Sequence, residues 1–285
     1  MTIKPAKLYI VSTPLGHLGD ISHRALQVLQ DVDQIAAEDT RHTGRLLRHF
    51  AIDTPCFSCQ DHNESDRIVQ FCQWLSQGKS LALVSDAGTP LISDPGFKVV
   101  RALVCQGFEV VPVPGPCAIT TALVASGLPS DRFYFYGFPP AKSASRRQWL
   151  DDLGARQGTF IFYESKHRLL QSLTDMITCF GEDVQACVAR ELTKEFESFY
   201  RGTLGHIYKV LEQMEQLRGE FVVMVHCVPK AQVLENPRQQ LINLSVQELL
   251  DLIQAQPPKK QLAAVLADKT STGKQGWYKT LCDIH

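Results

Sequence analysis

Four segments of this 285-residue chain concentrate glycine, proline, hydroxyls and carboxylates: 14–20, 38–44, 85–96 and 114–117. Glycine lets backbone come close to a ligand, proline stiffens a loop, and hydroxyls donate or accept hydrogen bonds. One such segment is ordinary turn chemistry. Four of them leaving strands on one edge of a sheet make a ligand cleft. Asp20, Asp39, Asp86 and Asp94 render the cluster acidic. That argues against a nucleoside triphosphate and suits a ligand with positive charge and polar edges. S-adenosylmethionine, with its sulfonium and amino group, fits. The first segment reads TPLGHLGD, so a GxGxxG dinucleotide fingerprint is absent, as is GxxxxGK[ST].

Such loops need a parallel sheet behind them, and the first 120 residues carry its pattern. Apolar runs at 7–13, 34–37, 80–84 and 109–113 read as strands. Between them, Ile21, Ala25, Val28, Leu29 and Val32 follow helical spacing behind Asp20 as N-cap, and Ile68, Phe71, Cys72 and Leu75 share one helical face. A further helix spans 97–105. This alternation implies a mainly parallel sheet covered on both faces. Pro112, Pro114 and Pro116 with Gly115 break the pattern and mark a hinge. Beyond it, strands at 132–138, 159–163, 184–190, 197–200 and 221–226 predict a mixed sheet. Ser245-Val246-Gln247-Glu248 is a capping box ahead of Leu249, Leu250 and Ile253. With helices near 259–268 and 274–282 it predicts a small helical module. The expected fold class is α/β, with domains over 1–115 and 116–229 and a helical extension over 230–285.

An apolar fraction of 44% and a charged fraction of 21% exclude a disordered chain. The net charge is −1, and no region departs far from neutrality: 10 basic against 12 acidic residues over 1–120, 13 against 13 over 121–230, and 6 against 5 over 231–285. Any nucleic-acid contact must therefore rest on local patches. Residues 1–6 lack the apolar core of a signal peptide, and nine scattered cysteines fit a reducing cytoplasm. Cys56 and Cys59 have CxxC spacing, yet no second pair accompanies them and the segment reads as a strand. Inert thiols and no metal are expected.

Several stretches resemble the tetrapyrrole-methylase superfamily: STPLGHLGD at 12–20, EDTRHTG at 38–44 and SDAGTPLISDPG at 85–96. Pro114-Gly115-Pro116, Phe162–Ser165 with His167-Arg168, Arg190–Lys194 and Arg201–Leu204 continue the resemblance in order. Within the superfamily these motifs are similar to the bacterial ribosomal RNA small-subunit methyltransferase I branch, and the C-terminal module resembles that branch's helix-turn-helix-like extension. The resemblance implies two α/β domains with S-adenosylmethionine between them, usually in a homodimer. It also implies 2′-O-methylation of a decoding-centre cytidine in 16S rRNA. Carried over by motif, Asp86, Ala87, Gly88, Thr89 and Ile92 would contact the cofactor. Pro14 and Gly16 would line the first loop and Pro114, Gly115 and Pro116 the hinge, with Tyr163, Ala189 and Glu220 from the second domain. The chain departs from the pattern at His17, where Asn is common, at Cys117, where Ser is common, and at Ser165-Lys166, where Ala-Pro is common.

A ribose 2′-hydroxyl is a poor nucleophile until its proton is removed or strongly hydrogen-bonded, and a general base adds roughly 10²–10⁴-fold. The charged candidates are Asp39, Arg41, His42, Glu164, His167, Arg168, Glu191 and Lys194. Asp39 or His42 is expected as base or orienter and Arg41 as a phosphate or ribose clamp; an internal Asp39–Arg41 ion pair is the competing reading. Lys194 is either a base of depressed pKa or a solvated partner of Glu195 or Glu197. For RNA, Arg41, Arg45 and Arg48 recur at helical spacing with His49 close by. Lys142, Arg146 and Arg147 flank a Ser-rich stretch after Tyr134, Tyr136 and Phe138, and the last thirty residues carry five lysines against two aspartates. Two rivals stand beside this reading. Carbon methylation of a tetrapyrrole needs a broad apolar trough and leaves EDTRHTG without a use. A non-catalytic ribosome-assembly factor would hold the cofactor only structurally.

Overall fold

The computed structural model describes residues 6–60, 63–228, 258–269 and 273–282. They belong to two compact units, residues 1–150 with 158–226 and residues 151–157 with 227–285.

The larger unit is built on two five-stranded sheets. The first follows strict alternation of strand and helix: β1 (Lys7–Val11), α1 (His23–Asp31), β2 (Gln34–Ala37), α2 (Thr40–His49), β3 (Cys56–Ser58), α3 (Glu64–Ser76), β4 (Leu81–Val84), α4 (Phe97–Cys105) and β5 (Glu109–Val113). Its strands lie in the order β3-β2-β4-β1-β5 and every pairing is parallel. Successive side chains of a strand point to opposite faces, so a sheet buried on both needs continuous apolar runs. On β4, Ala82 and Val84 join one core with Leu29 and Leu47, while Leu81 and Leu83 join the other with Phe71 and Leu103. Strands β1 and β2 divide their residues the same way.

The helix after the first loop is capped by Ser22, whose side chain accepts from the Ala25 N–H, and not by Asp20. Asp20 instead ends a 3-10 turn over Leu18–Asp20 that His17 caps. The segment 38–44 is likewise a loop only to Asp39. Asp39 accepts from the Arg41 N–H and starts α2, so Thr40–Gly44 are its first turn.

The chain enters the second sheet through α5 (Ala118–Ser126). It continues as β6 (Phe133–Phe135), α6 (Ser143–Gly154), β7 (Gly158–Ser165), α7 (Leu169–Phe180), β8 (Gln185–Arg190), β9 (Ser198–Thr203), α8 (Leu204–Glu212) and β10 (Glu220–Cys227). The order is β6-β7-β10-β8-β9, with β6 parallel to β7 and β8 antiparallel to both β10 and β9. The mixed sheet predicted from the sequence is therefore present. The expected strands 132–138 and 197–200 differ most in extent. The first contracts to three residues because Gly137 turns the chain at φ +63°, and the second runs on to Thr203 along β8. The core on one face joins Ile119 and Leu123 of α5 to Ile161, Cys187 and Met224, and Leu15 and Ile92 from the first sheet's loops pack onto it.

In the smaller unit, α9 (Lys259–Lys269) and α10 (Lys274–Cys282) pack through Ala263, Leu266 and Trp277. The capping box and helix expected from Ser245 lie outside the described residues. No helix among the described residues is long and apolar enough to cross a membrane.

Candidate active site

The loops leaving the carboxyl ends of β1, β2 and β4 are bonded to one another. Thr13 and Gly88 exchange backbone hydrogen bonds of 2.8 and 3.0 Å, and the Thr13 hydroxyl donates to the Ser85 carbonyl. The Ser12 and Thr89 hydroxyls lie 2.9 Å apart, and Thr89 donates to the Pro116 carbonyl. Asp86 accepts from the Asp39 N–H at 3.0 Å. Gly115 passes so close to Ser12 that a Cβ there would sit 2.9 Å from the serine Cβ. Gly88 takes φ +84°, the left-handed region that glycine enters without a Cβ clash.

This edge forms one wall of a cavity of about 770 Å³. Leu15, Glu38, Asp86, Ala87, Gly88, Thr89, Ile92 and Asp94 come from the first sheet's loops. Cys117, Ala118, Phe138, Tyr163–His167, Glu191, Leu192, Lys194 and Gly219–Val222 come from the second half. Of the residues expected to hold a cofactor, Asp86, Ala87, Gly88, Thr89, Ile92, Tyr163 and Glu220 line it. Pro14, Gly16, Pro114, Gly115, Pro116 and Ala189 are not in its lining. Several of these frame it instead: Pro116 accepts from Thr89, Gly115 lies on Ser12, and Ala189 is fully buried in β8.

Backbone strain gathers here. Leu91, Ser93, Glu191 and Thr193 all have positive φ, between 51° and 72°. Each costs about 1–2 kcal/mol in an L-residue, and such costs concentrate at functional sites. The strained 191–193 turn brings Lys194 between two carboxylates, 3.0 Å from Glu191 and 2.9 Å from Glu220. Burial opposes the Lys194 charge, but the two carboxylates outweigh it and raise the pKa above the ordinary lysine value. The expected base of depressed pKa is thus corrected to a held cation, and its partners are Glu191 and Glu220, not Glu195 or Glu197. Glu191 mirrors it: burial resists ionisation, while the Glu220 N–H and the Lys194 ammonium pull the carboxyl below its usual range. Gly16 makes room for this pair, since a Cβ there would lie 2.4 Å from Lys194 Cγ.

Asp39 and Arg41 form the internal pair. The guanidinium donates to both carboxylate oxygens at 3.2 and 2.9 Å. The Arg41 side chain and its backbone N–H hold the Asp39 carboxyl at about 2. A carboxylate so acidic is a poor proton acceptor at neutral pH, so Asp39 orients Arg41 and caps α2 and is not poised as a base. Arg41 itself is 88% exposed beside the cleft, and His42, Arg45 and Arg48 are exposed along the same helix.

The second basic group divides. Lys142 and Arg147 are exposed, but Arg146 is fully buried. Its Nε donates to Asp175 at 2.7 Å, and its Nη1 donates to the Pro140 and Ala141 carbonyls. The expectation that Arg146 meets RNA is corrected: α6 turns it inward onto α7. Glu164 and Arg168 are similarly committed to each other, and Arg168 donates to the Pro139 and Pro140 carbonyls. Burial pushes the Cys56 thiol up to about 11 and Cys227 up to about 12, which leaves little reactive thiolate.

Two sheets, a cleft at the carboxyl edge of the parallel one and a second half closing over it define an α/β methylase of the tetrapyrrole type. The family model for tetrapyrrole (corrin/porphyrin) methylases matches residues 7–208, and the chain belongs to that family. It is 48% identical over 274 residues to Ribosomal RNA small subunit methyltransferase I of Escherichia coli O157:H7, covering 96% of this chain and 93% of the relative. It is 47% identical to the protein of the same name from Pseudomonas aeruginosa, covering 95% of each. Among solved structures, diphthine synthase superposes with a TM-score of 0.59 at 13% identity, over 78% of this chain and 90% of that one. The cobalt precorrin-4 methyltransferase CbiF gives 0.58 at 16%, over 77% and 94%. These two likenesses establish the fold alone.

Proposed function

We propose that the chain transfers a methyl group from S-adenosylmethionine to the ribose 2′-hydroxyl of a decoding-centre cytidine in 16S rRNA. It would act as a cytoplasmic homodimer with domains over 1–115, 116–229 and 230–285. The observation that carries this reading is the chemistry of the cavity wall, read beside the relatives' shared name. Glu38, Asp86 and Asp94 suit a cationic ligand, and Leu15, Ile92, Ala118 and Val222 suit a flat ring.

Bound there, S-adenosylmethionine would supply an electrophilic methyl on a sulfonium that departs as a neutral thioether. Asp86–Thr89, Ile92, Tyr163 and Glu220 would hold it, with Pro14, Gly16, Pro114–Pro116 and Ala189 as the frame behind. Holding both reactants in line contributes about 7–11 kcal/mol in favourable systems. Arg41, fixed on Asp39, clamps a phosphate of the RNA, and Arg45, Arg48, Lys142 and Arg147 extend the contact. The 2′-hydroxyl proton passes to an imidazole, His42 at the start of α2 or His167 in the cavity wall. Lys194 stays protonated and holds the 191–194 turn against Glu220.

The test is labelled methyl transfer to undermethylated small subunits, followed by nucleoside analysis. Label in 2′-O-methylcytidine supports the reading. Label in a porphyrinoid, or no transfer despite cofactor binding by calorimetry, overturns it. Asp86→Ala is expected to weaken cofactor binding at least about tenfold, as loss of a charged hydrogen-bonding group does.

A further inference from the structure

We propose that Phe138 is a stacking platform for the base of the nucleotide being methylated, which leaves its stack to enter the cavity. The inference rests on the RNA reading above and adds the residue that receives the base.

Phe138 stands apart from the aromatic residues that precede it. Tyr134 and Tyr136 pack against Phe160, and Tyr136 also lies edge-on to Trp149. Phe138 lines the cavity and yet is 56% exposed. Its one aromatic neighbour among the described residues is Tyr163, 5.8 Å between centroids at 67°. An apolar ring left half in water at the mouth of a ligand cavity is an unmet contact. The other exposed phenylalanines, Phe97, Phe133 and Phe196, do not line the cavity.

The segment carrying it is held before any ligand arrives. The Gly137 carbonyl accepts from the Tyr163 N–H at 2.9 Å. The carbonyls of Pro139, Pro140 and Ala141 are gripped by two guanidiniums: Arg168 donates to Pro139 and Pro140, and Arg146 donates to Pro140 and Ala141. Both arginines are tied in turn to Asp175 or Glu164, which are buried carboxylates. Two prolines, the buried Arg146–Asp175 pair, the partly exposed Arg168–Glu164 pair and these backbone bonds therefore fix the backbone that presents an exposed ring. Such preorganisation removes the ordering cost that a mobile loop would set against binding.

The surroundings suit a nucleotide more than the cofactor's adenine. Lys166 and His167 are exposed in the same wall, and Lys142 is exposed four residues beyond Phe138. Cations beside an open aromatic ring are the pairing that single-stranded nucleic acid meets, with the phosphate on one and the base on the other. A 2′-hydroxyl in a folded RNA reaches an enclosed methyl donor only when its nucleotide is splayed out, and its base then needs a surface to replace the lost stack.

The experiment compares full-length wild type with Phe138→Ala, Phe138→Leu and Phe138→Trp in methyl transfer to undermethylated small subunits, with cofactor binding by calorimetry. Phe138→Ala and Phe138→Leu should lower kcat/KM for the RNA substrate roughly 5- to 150-fold, the range for removal of one base–aromatic stack. Phe138→Trp should stay near wild type, and all should bind cofactor and melt as wild type does. Wild-type activity in Phe138→Leu would show that bulk, not a π face, is needed and would overturn the proposal. A changed cofactor Kd with unchanged dependence on RNA would overturn it too. If the wild type transfers no methyl to RNA, the functional reading fails first, and that result is distinct from either.

Discussion

Replacing Arg146 with alanine removes a guanidinium that is fully buried and tightly held. It reaches Asp175 Oδ2 at 2.7 Å from Nε and 2.6 Å from Nη2, and it donates to the carbonyls of Pro140 and Ala141. The replacement strands the Asp175 carboxylate, whose side chain is only 7% exposed. It would keep the Ser143 hydroxyl at 2.9 Å and Arg147 at a distant 3.8 Å. Removing one partner of a buried pair costs about 3–5 kcal/mol, because the survivor stays charged without compensation. In a unit of this size each kcal/mol moves the melting temperature by about 2–4 °C. Arg146→Ala is thus expected to melt about 6–20 °C below wild type by circular dichroism. Arg147→Ala, on the exposed side of the same carboxylate, should change stability by less than about 1 kcal/mol. The double replacement Arg146→Met with Asp175→Leu should recover most of the stability. An Arg146→Ala protein that melts within about 2 °C of wild type while binding small subunits more weakly would refute the assignment and return Arg146 to the RNA surface.

Three further outcomes follow from the site. Asp39→Asn should lower methyl transfer and leave cofactor binding intact; since the folded carboxyl titrates at about 2, the wild-type rate should show no Asp39 limb between about pH 4 and 8, and a limb there that vanishes in the variant would make Asp39 the base. Glu191 is depressed on folding, so its stabilisation is present above the unfolded value of 4.5 and lost as pH falls through the folded one. Lys194 is raised, so its contribution is full below 10.5 and lost as pH climbs through its folded value. Lys194→Met should accordingly flatten the stability–pH curve just below pH 4.5, as read by urea titration. Arg45→Ala with Arg48→Ala should reduce the slope of log affinity against log salt by about 0.7–0.9 for each phosphate that is no longer neutralised, and an unchanged slope would remove α2 from the RNA surface.

Local pattern is enough to locate the strands of the parallel sheet and the loops at its carboxyl edge. An apolar run of four to seven residues between amphipathic helices has few other packings. The motifs at 85–96 and 114–117 fall where a parallel sheet presents its carboxyl edge. Period and punctuation are local properties, and β5 and α4 sit where they predict. What each charge faces is not local. Arg146 and Arg147 are adjacent and alike in the sequence, yet α6 buries one fully against Asp175, twenty-nine residues on, and leaves the other half-exposed at 3.8 Å from the same carboxylate. Lys194 has Glu195 and Glu197 beside it along the chain. A strained turn at 191–193 swings it instead to Glu220, on a strand whose place beside β8 only the folded sheet decides. The same holds for Phe138, the third of the alternating aromatics Tyr134, Tyr136 and Phe138: β6 stops at Phe135 and Gly137 turns the chain, so Phe138 does not share the packing of the first two. Side-chain type fixes which interactions a residue can make; burial and partner distance, set by the tertiary fold, decide which of them it makes.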